Sequence, residues 1–246
     1  MASGTPRVAV VSGTSSGIGA AVAAEFLRRA YTVIGLSRRG NPSLAAAETY
    51  VDLLADLRDD EAVRAALSSA ADTTRHGVHA VVVNAGVSPD PDDLAALDWS
   101  VAAEAYENNV HTALNLVQAT TPLLKLGGGG SLTFVGASLA NGYKPERWAY
   151  AASKAAMTTL MRACSVEFAD DGVVANEVRP GPVATAMTMA GLDGEVSDQI
   201  LRAINEGFGT DWLKSPRTVA EWIVSLAEFP PNGPTGQVFN YSRKVL

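Results

Sequence analysis

Short apolar runs alternate with longer, alanine-rich segments along most of the 246-residue chain. The apolar runs are rich in β-branched residues and lack a polar face, which is typical of parallel strands covered on both sides. They predict strands over 7–12, 31–37, 48–54, 78–84, 130–136, 173–178 and 236–242. The segments between them have helical periodicity and predict helices over 17–30, 60–74, 98–124, 148–170, 196–208 and 217–228.

This alternation of strands and helices indicates the fold class. It predicts an α/β protein with a doubly wound parallel sheet of about seven strands and helices on both faces, joined by right-handed crossovers. No internal repeat and no linker rich in Gly, Pro or Ser divides the sequence. We therefore expect a single domain over 1–246.

Composition excludes several classes of function. The chain is 47% hydrophobic and 18% charged, with a net charge of −7, and an acidic balance argues against nucleic acid and against an anionic membrane surface. No apolar run is long enough to cross a bilayer, and the first seven residues lack the layout of a signal peptide. With Cys164 as its single cysteine, the chain is expected to be soluble and cytoplasmic. Its three histidines have no ligand spacing, so we expect no metal.

A glycine-rich turn follows the first predicted strand and opens the first helix, with the sequence S-G-T-S-S-G-I-G over 12–19. A turn without side chains lets the backbone approach a pyrophosphate, and the helix that follows offers free N–H groups. An ordinary connection without a ligand is the alternative, but the strand–turn–helix context favours nucleotide binding. The residues expected to bind the nucleotide here are Gly13, Ser15, Ser16, Gly17, Ile18 and Gly19.

Three later segments fit the same ligand. Asp56 and Leu57 follow the third strand, where an adenine ring and its amino group are expected; alone, Asp56 fits equally well as the start of a helix. The fourth strand ends in small residues that allow close approach, and a loop after the sixth strand is suited to wrap a nicotinamide carboxamide. Alone, these would be an ordinary turn and a rigid loop. Their candidate residues are Asn84, Ala85, Gly86, Pro180, Gly181, Val183 and Thr185.

The end of the second strand indicates which nucleotide binds. A ribose 2′-hydroxyl is usually held there by an acid, whereas a 2′-phosphate needs positive charge. The chain has Ser37, Arg38 and Arg39 at this point and no acid. Since arginine forks suit phosphate oxygens, we expect NADP(H) in preference to NAD(H). A solvated basic turn is the alternative.

The chain resembles the short-chain dehydrogenase/reductase family over nearly its whole length. The resemblance is carried by four motifs in the family's order: the glycine loop at 12–19, the segment 84–86, the Y-x-x-x-K of Tyr150 and Lys154, and the loop at Pro180 and Gly181. The turn at 37–39 is similar to that of its NADP-preferring carbonyl reductases, or ketoreductases. The resemblance implies a Rossmann-like fold, a small-molecule ketone or alcohol substrate, and a homodimer or homotetramer. It also implies four catalytic residues: Tyr150 as acid/base, Lys154 as its partner, Ser138 as the residue that holds the substrate oxygen, and Asn109 as the anchor of a water relay.

The chemistry expected of these residues starts from a phenol whose ordinary pKa is near 10. Because Lys154 follows Tyr150 by four residues, both side chains share a helix face, and the ammonium is expected to lower the pKa of the phenol. We predict an NADPH-dependent reductase that converts a ketone of a hydrophobic small molecule into a secondary alcohol, or the reverse. The alternatives are an epimerase or dehydratase that uses the nucleotide transiently, and a non-catalytic NADP-binding regulatory protein.

The substrate pocket is expected beyond the carboxyl ends of the strands. A lid around 184–212 would close over it, because the segment after Gly181 is rich in small residues. Packing in the core is an equally good interpretation for Trp148 and Met187. The candidate pocket residues are Tyr143, Trp148, Met187, Met189 and Leu192.

Overall fold

Seven parallel strands form one sheet in the part of the chain that the computed structural model describes, which is residues 6–89, 93–96, 98–142, 145–189, 196–207 and 212–242. The strands are β1 (Val8–Ser12), β2 (Thr32–Ser37), β3 (Tyr50–Leu54), β4 (Ala80–Val83), β5 (Gly130–Val135), β6 (Val173–Arg179) and β7 (Val238–Asn240). Their order across the sheet is β3-β2-β1-β4-β5-β6-β7. The predicted doubly wound, Rossmann-like sheet is confirmed.

Helices connect the strands and cover both faces of the sheet. They are α1 (Gly17–Arg28), α2 (Asp60–Ser69), α3 (Ala71–Thr74), α4 (Trp99–Tyr106), α5 (Thr112–Leu126), α6 (Trp148–Glu167), α7 (Asp198–Gly207) and α8 (Pro216–Ala227). A π-helical turn, Glu107–His111, joins α4 to α5. Short 3₁₀ turns lie at Leu94–Ala96, Ser138–Asn141 and Ala169–Asp171.

Two predicted helices and one predicted strand differ from the structure. The helix expected over 98–124 is divided by the π turn, and the one expected over 60–74 is divided at Ala70, whose backbone leaves the helical region. The strand expected over 236–242 is reduced to β7, which pairs only with β6 over three positions. Gly236, with φ of +70°, turns the chain immediately before that pairing begins.

Strands β1, β2, β4, β5 and β6 are buried on both faces, as their continuous apolar sequences predict, whereas the edge strands β3 and β7 are partly exposed. In β1, Val8 and Val10 pack in a core with residues of α2, α5 and α6. Ala9 and Val11 point the other way, into a second core with residues of α1 and α8. This two-sided burial fixes the sheet rigidly and leaves the carboxyl ends of its strands as the place for a ligand.

Helix N-termini differ in how their free N–H groups are satisfied. Asp59, Asp98 and Ser215 accept hydrogen bonds from the first turns of α2, α4 and α8. Ser16 begins α1 without a side-chain cap, and the first turn of α1 has no acidic residue. The N–H groups at the start of α1 therefore remain available for an anion.

No helix among the described residues has the length and apolarity that crossing a bilayer demands. No group of three or more His, Cys, Asp or Glu side chains within the same residues is arranged to hold a metal ion.

Candidate active site

A cleft of about 620 Å³ opens where β1 to β6 end. Its walls come from the segments that follow these strands, and they include most of the residues that the sequence predicts for the cofactor and for catalysis. The predicted residues that line it are Gly13, Ser15, Ser16, Gly17, Ile18, Ser37, Arg38, Arg39, Asp56, Leu57, Asn84, Ala85, Gly86, Ser138, Tyr150, Lys154, Pro180, Gly181, Val183, Thr185 and Met187.

The glycines of the loop between β1 and α1 are required by geometry. Gly13 and Gly17 have φ of +76° and +61°, in the left-handed region that favours glycine. Gly19 does not line the cleft; a Cβ on it would lie 2.3 Å from the main-chain oxygen of Gly13 and 2.6 Å from Nδ2 of Asn84. The loop is therefore a cradle without side chains beneath the uncapped start of α1, which suits a pyrophosphate.

Ser12 joins this loop to the segment after β4. Its hydroxyl oxygen accepts hydrogen bonds from the main-chain nitrogens of Asn84 and Ala85 at 2.9 and 3.0 Å. The Asn84 side chain in turn donates to the main-chain oxygen of Ser12 at 2.9 Å. The small segment 84–86 is thus held against the phosphate loop, and together they form one continuous wall.

The basic turn after β2 presents two exposed arginines to the cleft. Neither Arg38 nor Arg39 forms a salt bridge within the described part of the chain. Ser37 shapes the turn, since its hydroxyl accepts a hydrogen bond from the main-chain nitrogen of Gly40 at 3.1 Å. Asn41 ties the turn to the phosphate loop, because its side-chain nitrogen donates to the main-chain oxygen of Thr14 at 2.8 Å.

Asp56 has a partner that the sequence analysis did not assign. Its carboxylate accepts a hydrogen bond from Nη2 of Arg58 at 2.6 Å and another from the Arg58 main-chain nitrogen at 3.0 Å. The Arg58 side chain lowers the pKa of Asp56 to about 2, and the charge of Arg38 acts in the same direction. Asp56 is therefore ionised, and part of its hydrogen-bonding capacity is already used before any adenine binds.

Asn109 lies at the centre of the π turn and is fully buried. Its Oδ1 accepts from the main-chain nitrogen of Val87 at 2.8 Å, and its Nδ2 donates to the main-chain oxygen of Val87 at 3.0 Å and to Oγ of Ser153 at 2.9 Å. Ser153 then donates to the main-chain oxygen of Tyr150 at 2.8 Å. Asn109 therefore acts from behind the cleft, where it connects the wall after β4 to the helix that carries Tyr150, whereas Asn108 lines the cleft itself.

Tyr150 and Lys154 lie on the cleft-facing side of α6, with the Lys154 Nζ 5.9 Å from the centroid of the Tyr150 ring. The ammonium is buried and donates to the main-chain oxygen of Val135 at 3.2 Å and to Sδ of Met157 at 3.4 Å. Burial lowers the pKa of Lys154 to about 8, and the charge of Glu177 opposes that shift.

The expected lowering of the Tyr150 pKa is wrong for this structure. Burial raises the pKa of Tyr150 to about 12, and the charge that opposes the rise is that of Arg147. Desolvation of the phenolate outweighs the attraction of the Arg147 charge. Tyr150 is therefore a protonated phenol at neutral pH, the form that can donate a proton.

Ser138 begins the 3₁₀ turn after β5 and faces the same cleft as Tyr150. Within the described residues its hydroxyl has no hydrogen-bond partner, so it can still donate to a ligand oxygen. Three side chains predicted for catalysis, Ser138, Tyr150 and Lys154, are thus brought to one wall by β5 and α6.

The predicted substrate residues are placed differently. Met187 is 58% exposed and lines the cleft. Trp148 does not, because its ring packs against Ala102, Ala105 and Ala149, where its buried indole N–H finds no partner among the described residues. Met189 is also absent from the lining. Tyr143 and Leu192 lie outside the described residues, as does part of the proposed lid.

The sequence analysis assigned no individual role to some residues of the site. Arg147 and Ser88 line the cleft near Tyr150, and Thr14 and Asn41 support the phosphate loop. The position of Arg147, three residues before the Y-x-x-x-K tyrosine, is a signal that would have indicated the cleft. The role of Asn41 depends on a contact over 27 residues and leaves no local signal.

The fold and the cleft together define a dinucleotide-binding α/β protein. The family model described as short chain dehydrogenase matches residues 7–195, and the chain belongs to that family. It is therefore a short-chain dehydrogenase/reductase, an oxidoreductase that binds a nicotinamide cofactor and acts on alcohol or ketone groups.

Two curated relatives match most of the chain. The 2-(R)-hydroxypropyl-CoM dehydrogenase of Xanthobacter autotrophicus is 32% identical over 212 residues, which are 80% of this chain and 83% of that protein. The chloroplastic NADPH-dependent aldehyde reductase-like protein of Arabidopsis thaliana is 30% identical over 213 residues, 79% of this chain and 78% of that protein.

A solved structure supports the fold alone. Carveol dehydrogenase from Mycobacterium avium, in complex with NAD, has a TM-score of 0.83 at 23% sequence identity and covers 97% of each chain. This agreement shows that the two chains share the same overall fold.

Proposed function

We propose that the chain is an NADPH-dependent reductase that converts a ketone of a hydrophobic small molecule into a secondary alcohol, or catalyses the reverse reaction. The observation that carries this proposal is that Ser138, Tyr150 and Lys154 line the same cleft as the glycine loop. A reactive phenol, a free hydroxyl and a buried ammonium are the groups that carbonyl reduction requires beside a nucleotide site.

The residues present fit a dinucleotide. Gly13 and Gly17 have the positive φ of a cradle without side chains, and the start of α1 offers N–H groups that no side chain caps. Arg38 and Arg39 lie at the far end of that cradle. When bound there, the nicotinamide cofactor supplies the hydride; the protein supplies orientation and proton transfer.

Tyr150 is proposed as the acid in reduction and the base in oxidation. Its raised pKa keeps the proton on the phenol until a negative charge develops on the neighbouring ketone oxygen. The Ser138 hydroxyl donates to that same oxygen and so holds it in place. Lys154 stabilises the phenolate that remains, and it reaches the cleft from a helix that Asn109 and Ser153 hold in position.

The proposed preference for NADPH is supported by Arg38 and Arg39, which face the cleft without a carboxylate partner in the described part of the chain. A 2′-phosphate carries the negative charge that would neutralise them. The aldehyde reductase-like relative of Arabidopsis thaliana is named as NADPH-dependent, which agrees with this assignment.

The test is an assay of NADPH oxidation against a panel of apolar ketones, with the native chain and with Tyr150→Phe. The native chain should consume NADPH, and the variant should retain NADPH binding while it loses all but a small fraction of the rate, about a hundredfold or more. Full activity in the variant would contradict the acid role. Substrate turnover without net NADPH oxidation would favour an epimerase or a dehydratase instead.

A further inference from the structure

Arg147 occupies a position that neither cofactor binding nor catalysis explains. It lies immediately before α6 and three residues before Tyr150, and its half-buried side chain lines the cleft. Its Nη1 donates to Oγ of Ser88 at 3.3 Å and to the main-chain oxygen of Pro89 at 2.8 Å. These contacts hold the guanidinium in a fixed place beside the catalytic tyrosine.

Within the described residues the guanidinium has no acidic partner. No carboxylate of the described residues lies within 4 Å of it, and hydrogen bonds in that part of the chain use only Nη1. Other arginines that are equally or more buried have such partners, such as Arg29 with Glu25 and Arg179 with Glu177. A half-buried cation with unused donors is costly unless a ligand supplies the negative charge.

The charges of the cleft favour the same interpretation. Among its described lining residues, four are cations (Arg38, Arg39, Arg147 and Lys154), whereas the one acid, Asp56, is paired with Arg58. The whole chain carries a net charge of −7, so this excess of positive charge is a local property of the cleft. In the proposed function, Arg38 and Arg39 bind the nucleotide and Lys154 acts in catalysis. Arg147 is the cation that has no role so far.

Arg147 lies in the cleft close enough to Tyr150 for its charge to oppose the rise in the pKa of that phenol. The lining of the same cleft includes the apolar side chains of Val87, Leu139 and Met187. A molecule bound there would meet apolar side chains along its body, a proton donor at its carbonyl and a cation beside that carbonyl.

We propose that Arg147 binds an anionic group of the substrate, and that the substrate is an oxo-carboxylate, or a related oxo-anion, with an apolar body. Since planar guanidinium groups bind carboxylates through paired N–H donors, Nε and Nη2 supply the fork that Nη1 leaves free. This inference rests on the proposed reductase function and adds the chemical class of its substrate.

A purely structural role for Arg147 makes a different prediction. If its hydrogen bonds to Ser88 and Pro89 were its whole purpose, its loss would affect every substrate alike, because the cleft wall would shift for all of them. Loss of its charge would also raise the pKa of Tyr150 further, and that effect too is common to all ketones. The informative measurement is therefore the kcat/KM for a charged substrate divided by the kcat/KM for a neutral substrate of the same shape.

The experiment uses keto-carboxylates of graded chain length, each paired with its neutral methyl ester, and NADPH as the reductant. The variants are Arg147→Ala, Arg147→Lys and, as a matched control on the exposed part of α6, Arg162→Ala. The native chain should prefer the carboxylate. Arg147→Ala should lower the ratio of kcat/KM for carboxylate over ester by about tenfold to a hundredfold, mainly through KM, with Arg147→Lys in between. Arg162→Ala should leave the ratio unchanged.

A binding measurement keeps the proposal separate from catalysis. Hexanoate has no ketone, and calorimetry of its binding to the chain with NADP⁺ present reports the anion subsite alone. Binding that Arg147→Ala abolishes would support the subsite even if no ketone were reduced, in which case only the proposed function would fail. Equal kcat/KM for carboxylate and ester in the native chain, or an equal loss of both in Arg147→Ala, would overturn the inference.

Discussion

The side-chain amide of Asn109 holds both main-chain polar groups of Val87, through hydrogen bonds of 2.8 Å to its nitrogen and 3.0 Å to its oxygen. Val87 follows β4 in the wall of the cleft, and Asn109 lies in the π turn between α4 and α5. The wider turn and the paired hydrogen bonds occur together, and π turns are frequent at functional sites. The position of the cleft wall therefore depends on one buried amide.

Asn109→Ala should destabilise the protein strongly. It would leave the nitrogen and oxygen of Val87 and the hydroxyl of Ser153 without their partner, beside a side chain that is fully buried. We expect the free energy of unfolding in urea to fall by about 3 kcal/mol. Asn108→Ala is the matched control, because Asn108 donates only one exposed hydrogen bond, to Glu104, and should cost about 0.5 kcal/mol or less. Equal losses in the two variants would contradict the structural role of Asn109.

The fold was predictable because its signals are local. Seven apolar runs predicted the strands, and the spacing of Gly13, Gly17 and Gly19 predicted the turn before α1. The π turn was not predictable in this way. It coincides with a contact between Asn109 and a residue 22 positions earlier in the chain, whereas its own sequence continues the helical pattern.

The site was predictable to a similar extent, and for the same reason. Tyr150 and Lys154 share a helix face through their spacing, but the sign of the Tyr150 pKa shift depends on how deeply the fold buries the ring. Trp148 was an equally good candidate for the pocket and for the core until packing against Ala102 and Ala105 placed it in the core. The position of Arg147 three residues before Tyr150 indicates the cleft, but its hydrogen bonds to Ser88 and Pro89 are visible only in the tertiary structure.

Stability should rise with pH where Lys154 loses its proton. Burial gives Lys154 a pKa of about 8 in the folded chain, against 10.5 for an ordinary lysine, which applies to the unfolded chain. Between these values the unfolded chain binds more protons than the folded one, so the free energy of unfolding increases with pH. The contribution is at most about 3 kcal/mol, and it is absent below pH 8, where the buried charge persists.

The measurement is the difference in unfolding free energy between the native chain and Lys154→Met, followed from pH 7 to pH 10.5 by urea denaturation. Subtraction of the variant removes the other lysines and the tyrosines Tyr31 and Tyr50, whose own pKa values burial raises to about 12. Above about pH 8, the unfolding free energy of the native chain should rise relative to that of Lys154→Met. A difference that stays constant over the whole range would show that Lys154 titrates like an exposed lysine.

Removal of either cleft arginine after β2 should change nucleotide preference. Arg38→Ala and Arg39→Ala should each lower kcat/KM for NADPH by about tenfold and leave that for NADH nearly unchanged, because only NADPH carries a 2′-phosphate. Arg64→Ala, on α2 and outside the cleft lining, is the matched control. Thermal shifts with NADP⁺ and NAD⁺ provide a second readout. An equal loss of kcat/KM for both nucleotides would mean that these side chains support the turn and do not bind the 2′-phosphate.

Gly19→Ala should be more harmful than Gly17→Ala, although Gly17 has the more unusual backbone. A Cβ on Gly19 would overlap the main-chain oxygen of Gly13 at 2.3 Å and would separate the loop from Asn84. At Gly17 it would meet only Cγ2 of Thr185, at 3.4 Å, so the cost is the φ of +61°, about 1 kcal/mol. Overlap with backbone should cost about 3 kcal/mol and greatly weaken NADPH binding.

Urea denaturation and calorimetric titration of NADPH would compare the two variants. Equal stability of the two variants would contradict this prediction. It would mean that α1 can move far enough from Gly13 to accommodate a Cβ on Gly19, which would otherwise lie 2.3 Å from the main-chain oxygen of Gly13.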